Sequence, residues 1–191
     1  TAREATVAEV SWEMGSIAQG QDAPPQTNHP ALAPVDAAQQ PAAEALLAAC
    51  IGAGIDAEIV ADIRRALWEK FVFLAAISGL TSVARQPIGV LRADPDLRAA
   101  LEAAMREAWT VGRAQGIALT DDFIAQLMNF TDSLPAEMKS SMLNDLVAGN
   151  RLEAPWLCGA VARMAGAAGF TAPVNSTLYA ALKPYCNGAS R

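Results

Sequence analysis

The tetrapeptide Leu67-Trp68-Glu69-Lys70 and the run behind it, Phe71–Ile77 (FVFLAAI), decide the fold of this chain. After Lys70 the run carries no charge, and we predict a helix of some five turns over residues 62–78 that ends near Gly79. A lysine that opens such a run needs an explanation, because burying an ammonium without a partner is costly. Lys70 must therefore snorkel to water, form a pair, or take part in chemistry.

Helical patterns lie on both sides of this stretch. Upstream, Pro41 stands at a first-turn position before a short helix over 42–50, which Gly52 and Gly54 end. An extended segment follows over 56–60. Residues 1–40 are different: residues 6–12 could form a strand, and residues 23–40 are typical of loop or disorder.

Downstream, Asp94-Pro95 predicts a helix start, with Asp94 as the N-cap and Pro95 in the first turn. That helix has one apolar face, a favourable Glu102–Arg106 pair, and an end at Gly116. We predict four further helices over about 121–134, with Thr120 as its cap, 136–148, 153–168 and 173–183. Strand signals are nearly absent after residue 60, so the sequence predicts an all-α bundle of six or seven helices.

Composition limits the function classes. The 191 residues are 52% hydrophobic and 18% charged, with a formal net charge of −6, which suits one substantial helical domain with a large core. The acidic balance argues against nucleic acid, since a duplex binder needs clustered Lys and Arg. No apolar stretch reaches the roughly 18 residues that a membrane span needs, and no signal peptide is evident, so we expect no membrane partner.

Metal and nucleotide sites are not predicted within the chain. The three cysteines, Cys50, Cys158 and Cys186, are widely spaced and accompany one histidine, His29, which argues against zinc and disulfides and favours the cytoplasm. Residues 52–57 match G-x-G-x-x-A, but their glycines follow a helix, whereas a dinucleotide loop follows a strand. We interpret them as a helix end and turn.

Two further polar features have ordinary structural explanations when each is taken alone. Ser140 and Ser141 suit a solvated helix face. Glu153 lies just ahead of a predicted helix start, where the dipole favours a carboxylate. The tryptophans Trp68, Trp109 and Trp156 fall on apolar helix faces, where packing in the core is expected.

Taken together, these pieces resemble the C-terminal domain of the ketopantoate reductase (2-dehydropantoate 2-reductase) family, whose all-α fold is also that of 6-phosphogluconate dehydrogenase-like proteins. The resemblance covers about residues 41–185. The matching residues are Asp62-Ile63, Leu67–Lys70, Pro87–Val90, Gly112–Gly116, Ser141–Asp145, Glu153, Gly159, Pro173–Asn175 and Leu178-Tyr179. The order and spacing of W-x-K, S-M-L-x-D and a following glutamate make the resemblance specific.

The resemblance implies an NADPH-dependent oxidoreductase of pantothenate biosynthesis that reduces a small 2-oxo acid. Lys70 matches the lysine that donates a proton to the developing alkoxide, and such an ammonium also stabilises the oxyanion. Glu153 matches the glutamate that orders the substrate and the lysine. Ser141 matches the serine that hydrogen-bonds the substrate carboxylate. A homodimer is a further expectation.

Two departures qualify the resemblance. The family carries asparagines four and eight residues after the lysine, where this chain has Leu74 and Ser78, so Ser78 can only partly replace its counterpart and a different 2-oxo acid is plausible. In addition, about 60 residues precede the helical domain, too few for a complete nucleotide-binding domain. The resulting division is 1–40 irregular or remnant, 41–60 the tail of a nucleotide-binding domain, 61–185 the helical catalytic domain, and 186–191 a tail.

From this division we expect no cofactor-binding residue in the chain and an inactive isolated chain. The alternative from a different class is a non-catalytic all-α module for dimerisation or binding. A Lys70 that faces solvent away from Glu153 would favour that module, and a site holding Lys70, Ser141 and Glu153 within mutual reach would favour the enzyme.

Overall fold

The computed structural model of the chain describes residues 31–32 and 40–189, which divide into two compact units after Ala66. The first unit contains β1 (Ala31–Leu32), α1 (Gln40–Gly52) and β2 (Glu58–Ile59). The two strands pair in parallel, and α1 supplies the crossover that a parallel pair requires. The possible strand over 6–12 lies outside the described residues, and β1 replaces part of the loop predicted over 23–40.

The glycines of the G-x-G-x-x-A match end α1, as predicted. Gly54 has a φ of 75°, the N–H of Ile55 donates to the carbonyl of Cys50 at 2.8 Å, and the N–H of Gly54 donates to that of Ile51 at 3.0 Å. This pair of bonds is the Schellman motif, which closes a helix C-terminus. A helix therefore precedes these glycines, and the interpretation as a helix end and turn is confirmed.

The remaining elements are helical, which confirms the all-α prediction. They are α2 (Ile63–Ala84), α3 (Ile88–Ala93), α4 (Pro95–Ala114), α5 (Phe123–Ser133), α6 (Ser141–Ala148), α7 (Cys158–Ala167), α8 (Pro173–Leu182) and a 3-10 helix (Lys183–Tyr185). The second unit begins within α2, at Leu67, and contains all the others.

The helix that carries Lys70 is longer than predicted. It continues past Gly79 to Ala84. The glycine serves close packing, because a Cβ added to it would lie 3.1 Å from Cδ1 of Leu178 and 3.7 Å from Cβ of Cys158. The residue that follows the helix, Arg85, has a φ of 54°, which is in the left-handed region.

Three predicted helices begin later than expected. The first, α5, begins at Phe123, and Asp122 stands at the N-cap position in place of the predicted Thr120. Residues 136–137 form a turn and 138–140 are irregular, and the carbonyls of Ala136 and Met138 accept the N–H groups of Gly89 and Ile88 at the start of α3. The carbonyls of residues 136 and 138 are therefore used by α3 and not by a helix of their own segment. The sequence did not indicate α3. Residues 154–157 likewise form a turn ahead of α7.

The centre of the second unit is α4, which contacts α3, α5, α7 and α8. Its predicted cap is confirmed, because the Asp94 carboxylate accepts the N–H groups of Asp96 and Leu97 at 3.0 and 2.9 Å. Leu101, Met105 and Ala108 of its apolar face are fully buried. The interior of the second unit therefore forms around this helix.

By length and composition α2 could also span a membrane, contrary to the estimate made from the run alone. However, 56% of the apolar 18-residue stretch in this helix is buried within the fold. Core helices of soluble proteins can be equally long and equally apolar. The feature is weak evidence for a membrane span.

Candidate functional site

The predicted proton donor, Lys70, lies on α2, ahead of the buried part of that helix. Lys70 is half-buried, and burial lowers the pKa of its ammonium below the usual 10.5. Leu74 and Ser78 follow at spacings of four, which places the three side chains along one side of α2. With a rise of about 1.5 Å per residue, the Cα atoms of Lys70 and Ser78 are separated by about 12 Å along the helix axis.

A buried pair of hydroxyl groups joins this helix to the start of α6. The Oγ1 of Thr81 and the Oγ of Ser140 lie 2.7 Å apart, and the Ser140 Oγ also accepts the N–H of Leu143 at 3.1 Å as the N-cap of α6. Ser141 is the next residue and is exposed, while Ser78 is only 4% exposed. The contact therefore fixes the backbone that carries Ser141 against α2, one turn beyond Ser78.

The segment after Glu153 also packs near this part of α2. Glu153 is exposed, and its carbonyl accepts the N–H groups of Trp156 and Leu157 at 2.8 and 3.1 Å. The carbonyl of Ala154 accepts from the Sγ of Cys158 at 3.6 Å, and Cys158 in turn lies against Gly79. The turn that presents Glu153 is thus held by contacts that lead to the residue beside Ser78.

The structure brings the segments around Ser78, Ser141 and Glu153 onto one stretch of α2, residues 78–81. Lys70 lies about two turns earlier on the same helix. A direct contact of Lys70 with Glu153 or with Ser141 stays a prediction. Ser140 was predicted to lie on a solvated helix face, and this was wrong because its hydroxyl is buried against Thr81. Neither residue was predicted to be functional, and the signal for Ser140 was the preference of serine for the N-cap.

Two of the tryptophans predicted in the core, Trp68 and Trp156, differ in their burial. Trp68 packs inside, since a Cβ added to Gly112 of α4 would lie 2.9 Å from its Cε3. Trp156 does not follow the core prediction, because it is 62% exposed. It lies on the turn after Glu153 and not on a helix, so its apolar ring is presented at the surface three residues from a predicted site residue.

A cleft of about 360 Å³ lies elsewhere, between α4 and the loop before α8, and its lining includes Arg106, Glu107 and Phe170. None of the four predicted site residues lines it. Glu107 there accepts the N–H groups of Val174 and Asn175 at 2.8 and 2.9 Å, and so serves the start of α8. In the described part of the chain, no group of three His, Cys, Asp or Glu residues could hold a metal ion.

Comparison with known families identifies the chain. Residues 62–185 match the family described as ketopantoate reductase PanE/ApbA C terminal. The uncharacterized oxidoreductase YkpB of Bacillus subtilis is 31% identical over 134 residues, which cover 69% of this chain and 44% of that protein. The 2-dehydropantoate 2-reductase of Mycobacterium tuberculosis is 30% identical over 148 residues, covering 78% of this chain and 50% of the relative.

Solved structures show the same fold. A PanE/ApbA family ketopantoate reductase from Ralstonia eutropha superposes with a TM-score of 0.72 at 28% identity, over 81% of this chain and 50% of that one. A dimeric ketopantoate reductase from Staphylococcus aureus gives a TM-score of 0.72 at 24% identity over 81% and 53% of the two chains. D-mandelate dehydrogenase with NADH and anilino(oxo)acetate gives 0.73 at 18% identity over 81% and 65%.

The chain therefore belongs to the ketopantoate reductase family, a family of oxidoreductases, and carries its C-terminal helical domain. It spans about half the length of the curated relatives that it matches. The match favours the enzyme over a non-catalytic dimerisation module.

Proposed function

We propose that this chain supplies the substrate-binding and proton-donating part of an NADPH-dependent reductase of 2-oxo acids, similar to 2-dehydropantoate 2-reductase. The observation that carries the proposal is that the family match over 62–185 includes Lys70, Ser141 and Glu153, with Lys70 half-buried on the helix that leads to the other two segments.

Reduction of a ketone needs a hydride at the carbonyl carbon and a proton at its oxygen. A reduced nicotinamide supplies the hydride, and Lys70 would donate the proton. Its lowered pKa supports this role, because an ammonium that releases its proton more readily is a better general acid near neutral pH. The same charge would stabilise the oxygen as it becomes negative.

The carboxylate of the acid would be held by Ser141. Its hydroxyl can donate a hydrogen bond, and its position as the first residue of α6 adds the partial positive charge of a helix N-terminus. Glu153 would accept hydrogen bonds from the ammonium of Lys70 or from the substrate. The buried contact between Thr81 and Ser140 supports this arrangement because it limits movement of Ser141 relative to α2.

The described residues do not fit a nicotinamide nucleotide. Their one glycine-rich segment, Gly52–Gly54, ends a helix, whereas a pyrophosphate loop opens one. We therefore expect the cofactor to be held outside the described residues and the isolated chain to be inactive. A homodimer in the cytoplasm, where free thiols such as Cys50, Cys158 and Cys186 persist, completes the proposal.

The test uses residues 62–189 joined to the part of the Mycobacterium tuberculosis relative that this chain does not match, with NADPH or NADH and ketopantoate or other 2-oxo acids. Lys70→Ala should lower turnover by about 100-fold or more, the usual contribution of a general acid. Lys183→Ala, at an exposed lysine of the 3-10 helix, is the matched control and should retain turnover. Equal turnover of the two variants would refute the role of Lys70.

A further inference from the structure

The last described residues of the chain, 185–189, lie against the segment that follows α6. The N–H of Leu152 donates to the carbonyl of Cys186 at 3.1 Å, and the N–H of Ala189 donates to the carbonyl of Gly149 at 2.9 Å. The partner of the earlier residue in one segment is the later residue in the other, so the two segments run antiparallel. We call residues 185–189 the C-terminal strap.

A glycine allows the strap to come this close. Gly188 has a φ of 78°, in the left-handed region, and a Cβ added to it would lie 2.7 Å from the carbonyl oxygen of Gly149 and 3.2 Å from the carbonyl carbon of Asn150. Real Cβ atoms essentially never show a separation under 3.0 Å, and the neighbour here is backbone, which cannot rotate away. Alanine at this position would therefore move the strap off the segment.

The strap begins on a fixed part of the fold. It follows the 3-10 helix after α8, whose last residue, Leu182, is only 2% exposed. The Sγ of Cys186 donates to the carbonyl of Leu182 at 3.5 Å, and the N–H of Cys186 donates to that of Lys183 at 3.3 Å. The bond from Cys186 to Leu152 therefore connects the segment after α6 to the end of α8.

This connection reaches the residue directly before Glu153. Leu152 is 2% exposed and is held by the strap, while the carbonyl of Glu153 accepts N–H groups of the turn that follows it. Glu153 itself is exposed, so its side chain extends from a backbone that is held on both sides. The strap holds the upstream side, and the turn before α7 holds the downstream side.

We propose that the C-terminal strap positions Glu153 for the reaction and that Gly188 makes this contact possible. The inference rests on the proposed function, in which Glu153 accepts hydrogen bonds from the Lys70 ammonium or from the substrate. The strap acts through Leu152, so its residues are positioning residues. A misplacement of about 1 Å can lower a rate by about 100-fold, so displacement of the strap should lower activity by about tenfold or more.

Hydrogen exchange on the purified full chain tests the contact itself. Gly116→Ala is the matched control for Gly188→Ala, because Gly116 also has a φ of 78° but a Cβ added there meets nothing within 4 Å. The two variants share the backbone strain, and the collision is specific to Gly188→Ala. The amide of Leu152 should exchange about tenfold or more faster in Gly188→Ala, relative to the buried amide of Met105, and should not change in Gly116→Ala. Equal exchange at Leu152 in the two variants would overturn the inference.

Turnover of the joined reductase described above tests the effect on Glu153. Gly188→Ala should lower kcat/KM by about tenfold or more when Glu153 is present, and by less than about twofold when Glu153→Ala has already removed the carboxylate. A merely structural effect would lower both by the same factor. Gly116→Ala should change neither.

A second variant covers the case in which Gly188→Ala fails to fold, which circular dichroism would reveal. A chain that ends after Pro184 lacks the strap and introduces no collision, and it should give the same dependence on Glu153. Loss of the fold in both variants would assign the strap to stability alone and would overturn the inference.

The outcomes separate this inference from the proposed function. Losses from Gly188→Ala and Glu153→Ala that multiply independently overturn the inference, and the proposed function stands if Lys70→Ala still lowers turnover. Absence of turnover in the joined reductase, or turnover that Lys70→Ala leaves intact, overturns the proposed function and the inference with it.

Discussion

The hydroxyl oxygens of Thr81 and Ser140 lie 2.7 Å apart in the protein interior and connect the middle of the fold to its candidate site. Thr81 is fully buried on α2, and its Oγ1 also lies 2.6 Å from the carbonyl oxygen of Ile77. Ser140 is the N-cap of α6. This contact therefore joins the interior of α2 to the start of α6, at the residue before Ser141.

We expect Thr81→Val to destabilise the fold by about 1–3 kcal/mol, because the change leaves Ser140 with one partner fewer in a buried position. Urea denaturation at neutral pH measures the effect. The matched control is Thr177→Val on α8, whose hydroxyl bonds the carbonyl of Pro173 at 2.8 Å but is exposed to water. Equal losses in the two variants would show that the interhelical contact contributes nothing.

Those parts of the fold that depend on local signals could be predicted from the sequence. Asp94, ahead of Pro95, begins α4 through hydrogen bonds to its side chain. Gly54 ends α1 through a hydrogen bond of its own backbone. The errors occurred where tertiary bonds replace local ones. Residues 136–138 have a helical pattern, but their carbonyls accept N–H groups from α3, a partner about 50 residues earlier in the chain. Gly79 was predicted to end α2 and instead lies inside this helix, packed against Leu178.

The candidate site shows the same division. Lys70 could be selected from the sequence because a charge at the start of an apolar run is unusual, and Ser141 and Glu153 because their spacing resembles a family. The contact of Thr81 with Ser140 spans 59 residues, and no local pattern indicates it. Trp156 was expected in the core because helical periodicity was extended through residues 154–157, which form a turn.

The second prediction concerns Glu107, which joins α4 to the start of α8. Its carboxylate accepts the N–H groups of Val174 and Asn175 and the Nδ2 of Asn175, the last at 2.7 Å. Glu107→Gln removes the charge that favours a helix N-terminus and weakens these bonds. We expect a loss of about 1.5–3 kcal/mol in the free energy of unfolding.

The control is one turn and a half earlier on the same helix. Glu102 forms an exposed ion pair with Arg106, and such pairs contribute about 0–1 kcal/mol. Glu102→Gln should therefore cost clearly less than Glu107→Gln. In 1 M salt the difference should largely persist, since the Glu107 bonds are partly buried. Similar losses in both variants would contradict the assigned role.

The third prediction uses the end of α2. Glycine occupies the left-handed position after four of the described helices, at Gly54, Gly116, Gly149 and Gly169, whereas Arg85 occupies it here. A residue with a Cβ pays about 1 kcal/mol or more in this conformation. Arg85→Gly should therefore raise the melting temperature, with a gain of up to about 1 kcal/mol. Arg85→Ala keeps the Cβ and should give no comparable gain; an equal gain would assign the effect to loss of the charge.

The fourth prediction is a dependence of stability on pH. Cys158 is fully buried, and burial raises the pKa of its thiol from 9.0 to about 11. Between these two values the unfolded chain loses the proton while the folded chain keeps it. The folded state then binds more protons, so its stability must fall as the pH rises across this window.

A shift of about two units corresponds to about 2–3 kcal/mol, which would be lost by pH 11. Denaturation at pH 8, 9, 10 and 11 follows this loss in the wild type and in Cys158→Ala, where the thiol is absent. The alanine variant should start lower because it leaves a small cavity, and should fall less steeply with pH. Cys186→Ala is the control, since that thiol is only partly buried and should contribute a smaller part of the slope in the same direction. Parallel curves for the wild type and Cys158→Ala would show that the thiol titrates alike in both states, and that the interior around Gly79 admits water.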